Sequence, residues 1–262
     1  MYVFDNAARA ARARLSALAD VYDEVTIRHL IARGVASGWM CLEIGGGLGT
    51  ITRWLANRIG PCGYVLSTDI DTRFLEALRL ANVEVRRHDI LIDPLPDSAF
   101  DLAYARLVLE HLSDPDLALD RLARAIKPGG LLVVEDLEIQ SAWPDPQESL
   151  DRPSKTLAAM RRVATDAGVD PRLGLSLGRR LRARGLLNVG HEGQLQLCRG
   201  NSAPARLARL NFEQLRDPIL ATQDVTRAEF DADLARLDDE GFEWRSPIFW
   251  TAWGQRPESD VR

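Results

Sequence analysis

Apolar residues along the chain follow two rhythms, and the rhythms alternate. Met40-Cys41-Leu42-Glu43-Ile44 is a nearly continuous apolar run of strand length, closed by a cluster of glycines. Ile51, Trp54, Leu55 and Ile59 then recur at helical spacing until Gly60-Pro61 stops the pattern. Tyr64 to Thr68 predicts a second strand ending at Asp69, with a helix through Phe74, Leu75 and Leu78 behind it. Val83 and Val85 alternate with polar residues in a third strand. Phe100 to Ala105 is a fourth, after the turn-forming stretch Asp93-Pro94-Leu95-Pro96-Asp97-Ser98. Leu119, Leu122, Ala123 and Ile126 line one helix face, which Lys127-Pro128-Gly129-Gly130 ends. Leu131-Leu132-Val133-Val134 is apolar on both faces, as a parallel strand covered by helices must be. Strand and helix alternating in this way imply right-handed crossovers and a doubly wound α/β sheet.

Beyond the fifth strand the pattern loosens. Helical stretches at Ser154–Ala167 and Leu177–Arg184 precede a strand around Val189–Leu197, and Ile248 to Trp253 reads as a last strand. Ahead of Ser37, a helix containing Leu15, Leu18, Tyr22, Ile27 and Leu30 packs on the sheet or covers a ligand crevice. The expected organisation is one domain over residues 1–262. Residues 1–36 form N-terminal covering helices, 37–200 and 242–257 the core, and 201–241 a helical lid insertion. Residues after Pro257 are expected to fray.

Composition narrows the class of protein. Three cysteines (Cys41, Cys62, Cys198), odd in number and without a C-x-x-C pair, argue against a disulfide framework and a cysteine zinc site. The four histidines (His29, His88, His111, His191) have no ligand spacing, so no metal is expected. A net charge of −5 is the wrong sign for gripping phosphates, so nucleic acid is not an expected partner. The arginines at 179, 180, 182 and 184 read as a solvated helix face. No run approaches the roughly 18 apolar residues of a membrane span, and no apolar leader is visible. A cytoplasmic monomer or homodimer is the expectation.

Glu43-Ile44-Gly45-Gly46-Gly47-Leu48-Gly49-Thr50 joins the first strand to the first helix. Bare backbone there permits a tight turn and lets a ligand lie against the chain, beside the unpaired N–H groups of a helix start. Asp69 follows Gly49 by twenty residues, at the end of the next strand, where a carboxylate can accept both hydroxyls of a ribose. Together they predict an adenosine-containing cofactor across the strand tips. A dinucleotide fingerprint needs a third glycine where Thr50 stands, and a phosphate-binding loop needs a following Lys-Ser/Thr that is absent.

These residues resemble the Rossmann-like S-adenosylmethionine-dependent methyltransferases, in particular the ubiquinone/menaquinone-type small-molecule branch. E-I-G-G-G-L-G is similar to that family's first motif, V-L-S-T-D to its ribose-binding segment, and H-D-I (residues 88–90) to its adenine-binding segment. F-D-L-A-Y-A-R-L-V-L-E-H-L and L-A-R-A-I-K-P-G-G are similar to its fourth-strand motif and following turn. The five motifs fall in order over residues of about 39–136. The resemblance implies a mostly parallel seven-stranded sheet and S-adenosylmethionine as cofactor, with S-adenosylhomocysteine as product. It implies that Gly45, Gly46, Gly47 and Gly49 floor the methionine part and that Glu43 orients its amino group. It further implies that Asp69 holds the ribose with Ile70 beside the adenine, and that Asp89 and Ile90 close over the base. Arg106 approaches the methionine end, and Tyr22 is a candidate contact of the cofactor carboxylate.

For the transfer itself, His111 is the candidate general base, because its unperturbed pKa suits the task and it follows the fourth strand. A purely structural imidazole remains the alternative. Asp136 and Trp143, after the fifth strand, are candidate acceptor contacts together with His111; Glu135 shares that position. The expected function is methyl transfer to a small hydrophobic or aromatic metabolite of secondary metabolism, O-methylation favoured. Rivals are a nicotinamide oxidoreductase and a cofactor-binding protein that transfers no methyl. A nucleic-acid or glutamine methyltransferase would carry a Pro-Pro loop where Tyr104-Ala105-Arg106-Leu107 stands.

Overall fold

The glycine-closed run becomes β1 (Met40–Ile44), an interior strand of the main sheet. The computed structural model describes residues 9–140, 143–144 and 154–258. The main sheet adds β2 (Tyr64–Asp69), β3 (Val83–Arg87), β4 (Phe100–Arg106), β5 (Ile126–Glu138), β7 (Leu187–Gln194) and β10 (Ile248–Gln255). Its order is β3-β2-β1-β4-β5-β10-β7. The first five strands pair in parallel, while β10 runs antiparallel to both β5 and β7. This is the expected mostly parallel, seven-stranded α/β sheet. The strand order reverses between β1 and β4, and such a reversal opens a crevice at the carboxyl ends of the strands.

Both faces of the sheet are covered. One carries α3 (Pro115–Ala125) and α5 (Leu173–Ala183), whose Leu119, Leu122, Leu177 and Leu181 share a core with Leu42, Ala103 and Leu132. On the other, α1 (Arg9–Ala32) and α2 (Thr50–Ile59) bury Leu30, Ile51, Leu55 and Ile59 against Cys41, Val65 and Tyr104. A third core joins α4 (Lys155–Asp166), α6 (Ala203–Gln214), α7 (Arg216–Ala221) and α8 (Arg227–Arg236) through Ala159, Phe212, Ile219 and Phe230. Capping residues start these helices where polar side chains precede apolar periodicity: Ser154, Ser202 and Thr226 each accept a backbone N–H. α6 lies on α1, with Ala17, Tyr22, Leu207 and Phe249 packed together.

Four details depart from the sequence reading. Instead of a helix through Phe74, Leu75 and Leu78, the chain makes one 3-10 turn, Leu75–Ala77. Leu78 is already extended, and both leucines turn under the glycine loop, against Gly46 and Gly49. The strand expected around Val189–Leu197 divides between two sheets. β7 ends at Gln194, and β8 (Leu197–Arg199) joins β6 (Trp143–Pro144) and β9 (Glu243–Arg245) in a small antiparallel sheet, β6-β9-β8. The Ser246 hydroxyl and amide clamp Gln196 at the switch. Third, β5 starts at Ile126, and a register shift against β4 takes up Lys127–Gly130, which the sequence pattern places in a terminating turn. Finally, Arg180 and Arg184 form ion pairs with Asp116 on α3 rather than a merely solvated face. Residues 259–262 of the expected tail lie outside the described residues. No helix among the described residues is long and apolar enough to cross a membrane.

Candidate active site

The loop after β1 is closed from below. Gly45 and Gly46 N–H groups donate to the Thr68 carbonyl at 2.8 and 3.0 Å, pinning the loop to β2. Gly45 has φ 74°, which an L side chain rarely adopts, and a Cβ there would lie 2.3 Å from Val108 Cγ2. At Gly46 a Cβ would lie 2.4 Å from Ser67 Oγ. Two glycines of the motif are therefore demanded by the chain's own packing, before any ligand is considered.

Asp69 sits at the tip of β2 and is bound by this loop. One carboxylate oxygen accepts the Gly47 N–H at 3.0 Å and the other the Asp71 N–H at 3.0 Å. Burial raises its pKa, and the backbone donors work against that rise. A carboxylate offers about four acceptor positions, so two stay available to a ligand.

Above the loop opens a cavity of about 390 Å³. Gly45, Gly46 and Gly47 line its floor, with Asp69 and Ile70 at one wall and Asp89 and Ile90 at another. Ile70 is 54% exposed, an apolar surface presented at a strand tip. Arg106 also lines the cavity, where its guanidinium donates to Asp23 at 2.8 Å and to the Thr26 hydroxyl at 3.1 Å. Thus nine predicted residues converge here: Gly45, Gly46, Gly47, Asp69, Ile70, Asp89, Ile90, Arg106 and His111.

Three others stand elsewhere. Gly49 caps α2, outside the lining. Glu43 lies below the floor, where its carboxyl accepts the Thr52 hydroxyl and, at 3.1 Å, the Ser67 hydroxyl. Burial pushes it up to about 7. Tyr22 faces a second cavity and stacks on Phe249, with ring centroids 4.5 Å apart. Arg14 and Leu15 of α1 and Asn211 of α6 line the first cavity without having been singled out from the sequence. Arg14 is only 3% exposed. Its signal was the amphipathic Ala/Arg pattern of the N-terminal helix, which reads equally well as a surface.

The second cavity, about 210 Å³, is walled largely by apolar side chains from α1, α4, α6 and several strands, among them Val25, Met160, Leu207, Phe212, Trp244 and Phe249. It shares Leu18, Glu110, His111, Leu137 and Asn211 with the first. The 3-10 turn Leu109–His111 after β4 therefore stands where the two spaces meet. His111 Nε2 is 3.5 Å from Glu110 Oε1. Burial, helped by the charge of Arg14, lowers the imidazole to about 4, so it is neutral at physiological pH. Glu110 is pushed up to about 8 by burial and by Asp170. Asp136 is fully buried, lines neither cavity, and is raised by burial and by Glu110. Trp143 pairs through its backbone with Arg245, and its side chain lies outside the described residues.

A glycine-floored crevice at the switch point of a sheet whose last strand inserts antiparallel defines a class: the Rossmann-like methyltransferase fold. Residues 42–134 match the model of a methyltransferase domain family. The ubiquinone/menaquinone biosynthesis C-methyltransferase of Cupriavidus necator is 35% identical over 142 residues, 51% of this chain and 58% of that protein. The chain spans about half the length of the curated relatives it matches. Among solved structures, the YcgJ protein of Bacillus subtilis superposes with TM-score 0.58 and 15% identity, covering 90% of this chain and 100% of that one. Phosphoethanolamine N-methyltransferase 2 of Haemonchus contortus, solved with S-adenosylhomocysteine, gives TM-score 0.53 and 18% identity over 90% of this chain and 53% of that one. The chain thus has the fold of these methyltransferases, and its residues 42–134 are similar to a methyltransferase domain.

Proposed function

We propose that this protein transfers a methyl group to a small hydrophobic acceptor held in the apolar cavity, and that the methylated atom is oxygen. One observation carries the reading: a polar, glycine-floored cavity and an apolar one meet at Glu110 and His111.

The first cavity suits S-adenosylmethionine. Asp69 has two acceptor positions left for the ribose hydroxyls, and Ile70 and Ile90 supply apolar faces for the adenine. Arg14 and Arg106 put positive charge along the same cavity, which favours the methionine carboxylate there. Glu43 acts from beneath, holding Thr52 and Ser67 and so the loop, instead of touching the amino group. When bound, the cofactor supplies an activated methyl on a sulfonium. The protein's share is alignment of the acceptor, which is worth about 7–11 kcal/mol in well-positioned reactions, and exclusion of competing water. Tyr22, Val25, Leu207 and Phe249 do the latter from the acceptor side. The relatives' names specify C-methylation; a pair of titratable groups at the junction, able to receive a hydroxyl proton, favours oxygen here.

Calorimetry with S-adenosylhomocysteine and with NAD tests the first cavity, the former binding and the latter not. Methyl-tritiated cofactor with 2-naphthol, a small apolar phenol, tests the second, with products separated by mass spectrometry. An O-methyl product supports the reading. A ring-methylated product overturns the choice of atom, and cofactor binding without transfer overturns the acceptor class.

A further inference from the structure

Resting on that reading, we propose that Glu110 is the group that takes the acceptor's proton, and that the neighbouring His111 positions it. Among the described residues, five line both cavities, and of these only Glu110 and His111 titrate. Glu110 is 6% exposed, so it is screened from bulk water while it lines both spaces. Its setting is built from every side. His111 Nε2 stands 3.5 Å away on the same turn, and the Asp170 N–H ties the Glu110 carbonyl at 3.0 Å. Asp136 on β5 lies behind it, Asp170 adds negative charge from the loop before α5, and Tyr22 faces it from α1.

The chemistry discriminates between the two candidates. A base works best when its affinity for the proton approaches that of the group it relieves. His111, lowered to about 4, grips a proton weakly. Glu110, raised to about 8, comes far closer to a phenolic hydroxyl. Asp136 is pushed well above the carboxylate range and keeps its own proton, so the couple carries one negative charge, on Glu110, when poised to react. In the step, the acceptor O–H bond breaks and the proton goes to a Glu110 carboxylate oxygen. The electron pair stays on the acceptor oxygen, which becomes the nucleophile. The couple ends uncharged.

The test uses the full chain with 2-naphthol, in wild type, Glu110→Gln, Glu110→Asp and His111→Ala. Two readouts are taken against pH: turnover, and naphtholate absorbance in the S-adenosylhomocysteine complex, where no transfer occurs. Wild-type turnover should rise with pH to a plateau, inflecting near the Glu110 pKa, with naphtholate growing over the same interval. Glu110→Gln should lose both rises and slow turnover by about 10²–10⁴-fold, the usual worth of a general base. Glu110→Asp should recover part of the rise, and His111→Ala should keep the inflection at reduced rate. A circular dichroism melt matching the wild type certifies the fold of Glu110→Gln. If that variant keeps the rise while His111→Ala loses it, the proposal is overturned and the function above stands. If the wild type neither binds nor methylates 2-naphthol, the acceptor reading fails, and this proposal with it.

Discussion

Replacing Asp69 with asparagine keeps the shape of the β2 tip and changes only its hydrogen-bonding character. Both carboxylate oxygens are already engaged, one by Gly47 N–H and one by Asp71 N–H, each at 3.0 Å. Their second lone pairs are the positions assigned to the ribose hydroxyls. An asparagine has one oxygen and one NH₂ group, so one of the two loop amides must face a donor instead of an acceptor. Hydrogen bonds to a charged group are worth about 1.5–3 kcal/mol each. Losing one ribose bond and the charge behind the other amounts to about 3 kcal/mol, or roughly a hundredfold in the dissociation constant. The broken loop contact shows instead as lower thermal stability. Calorimetric titration with S-adenosylhomocysteine measures the first effect; circular dichroism melts measure the second. An unchanged dissociation constant in a folded variant would refute the assignment of Asp69 to the ribose.

Glu43 stands at about 7 in the folded chain against 4.5 for a free side chain, so folding favours its protonated form. Its stabilising contribution is complete below pH 4.5 and is lost as pH rises through about 7, a loss of about 3 kcal/mol by linkage. Urea midpoints should fall across that window and fall less steeply in Glu43→Gln; parallel slopes would contradict the buried acid. Thr251→Val removes the donor to Glu135 Oε1 at 2.8 Å and leaves that buried oxygen unsatisfied. A cost of about 1–3 kcal/mol in equilibrium unfolding is expected, and no loss would mean that the network does not help hold β10 to β5. Met160→Trp fills the apolar cavity from α4, so methylation of 2-naphthol should vanish while S-adenosylhomocysteine binds as before. Continued turnover would put the acceptor elsewhere.

The cofactor half of the molecule was legible because its signals are local. An apolar run of five residues with glycines behind it has few foldings besides a buried strand and a tight turn, and β1 and β4 came out as read, while β5 contains the run read at Leu131–Val134 but begins earlier. Asp69 was legible because strand and loop lengths place it beside Gly47. What escaped depended on contacts distant in sequence. Phe74, Leu75 and Leu78 have helical spacing, yet the two leucines are claimed by Gly46 and Gly49, and a 3-10 turn satisfies them better than a helix. The small β6-β9-β8 sheet joins segments about fifty and a hundred residues apart, each too short to carry a periodicity. Glu110 escaped for a related reason: a glutamate beside a histidine reads as solvated until β5, α1 and the loop before α5 are folded around it.

The N-terminal helix shows how these halves become one site. At 1.5 Å per residue, α1 is about 36 Å long, enough to lie along both cavities. Residues 14, 18, 22 and 25 follow helical spacing and form one stripe: Arg14 lines the first cavity, Leu18 both, Tyr22 and Val25 the second. Arginine at the head of an otherwise apolar stripe is a poor surface pattern and a sensible ligand-facing one. Two residues near that stripe fix the helix to the strand tips. Asp23 accepts from Arg106 at 2.8 Å, and Thr26 donates to Glu135 at 2.6 Å, the same carboxylate that Tyr104 and Thr251 satisfy. Arg106 itself lines the first cavity, so the ion pair that holds α1 is also part of that cavity's wall. The Asp20 pair with Arg206 and the packing of Ala17 with Leu207 extend the connection to α6, which closes the acceptor side. Both cavities are therefore lined by the same helix, and on the function proposed above the seating of α1 on the tips of β4 and β5 would bear on both ligands.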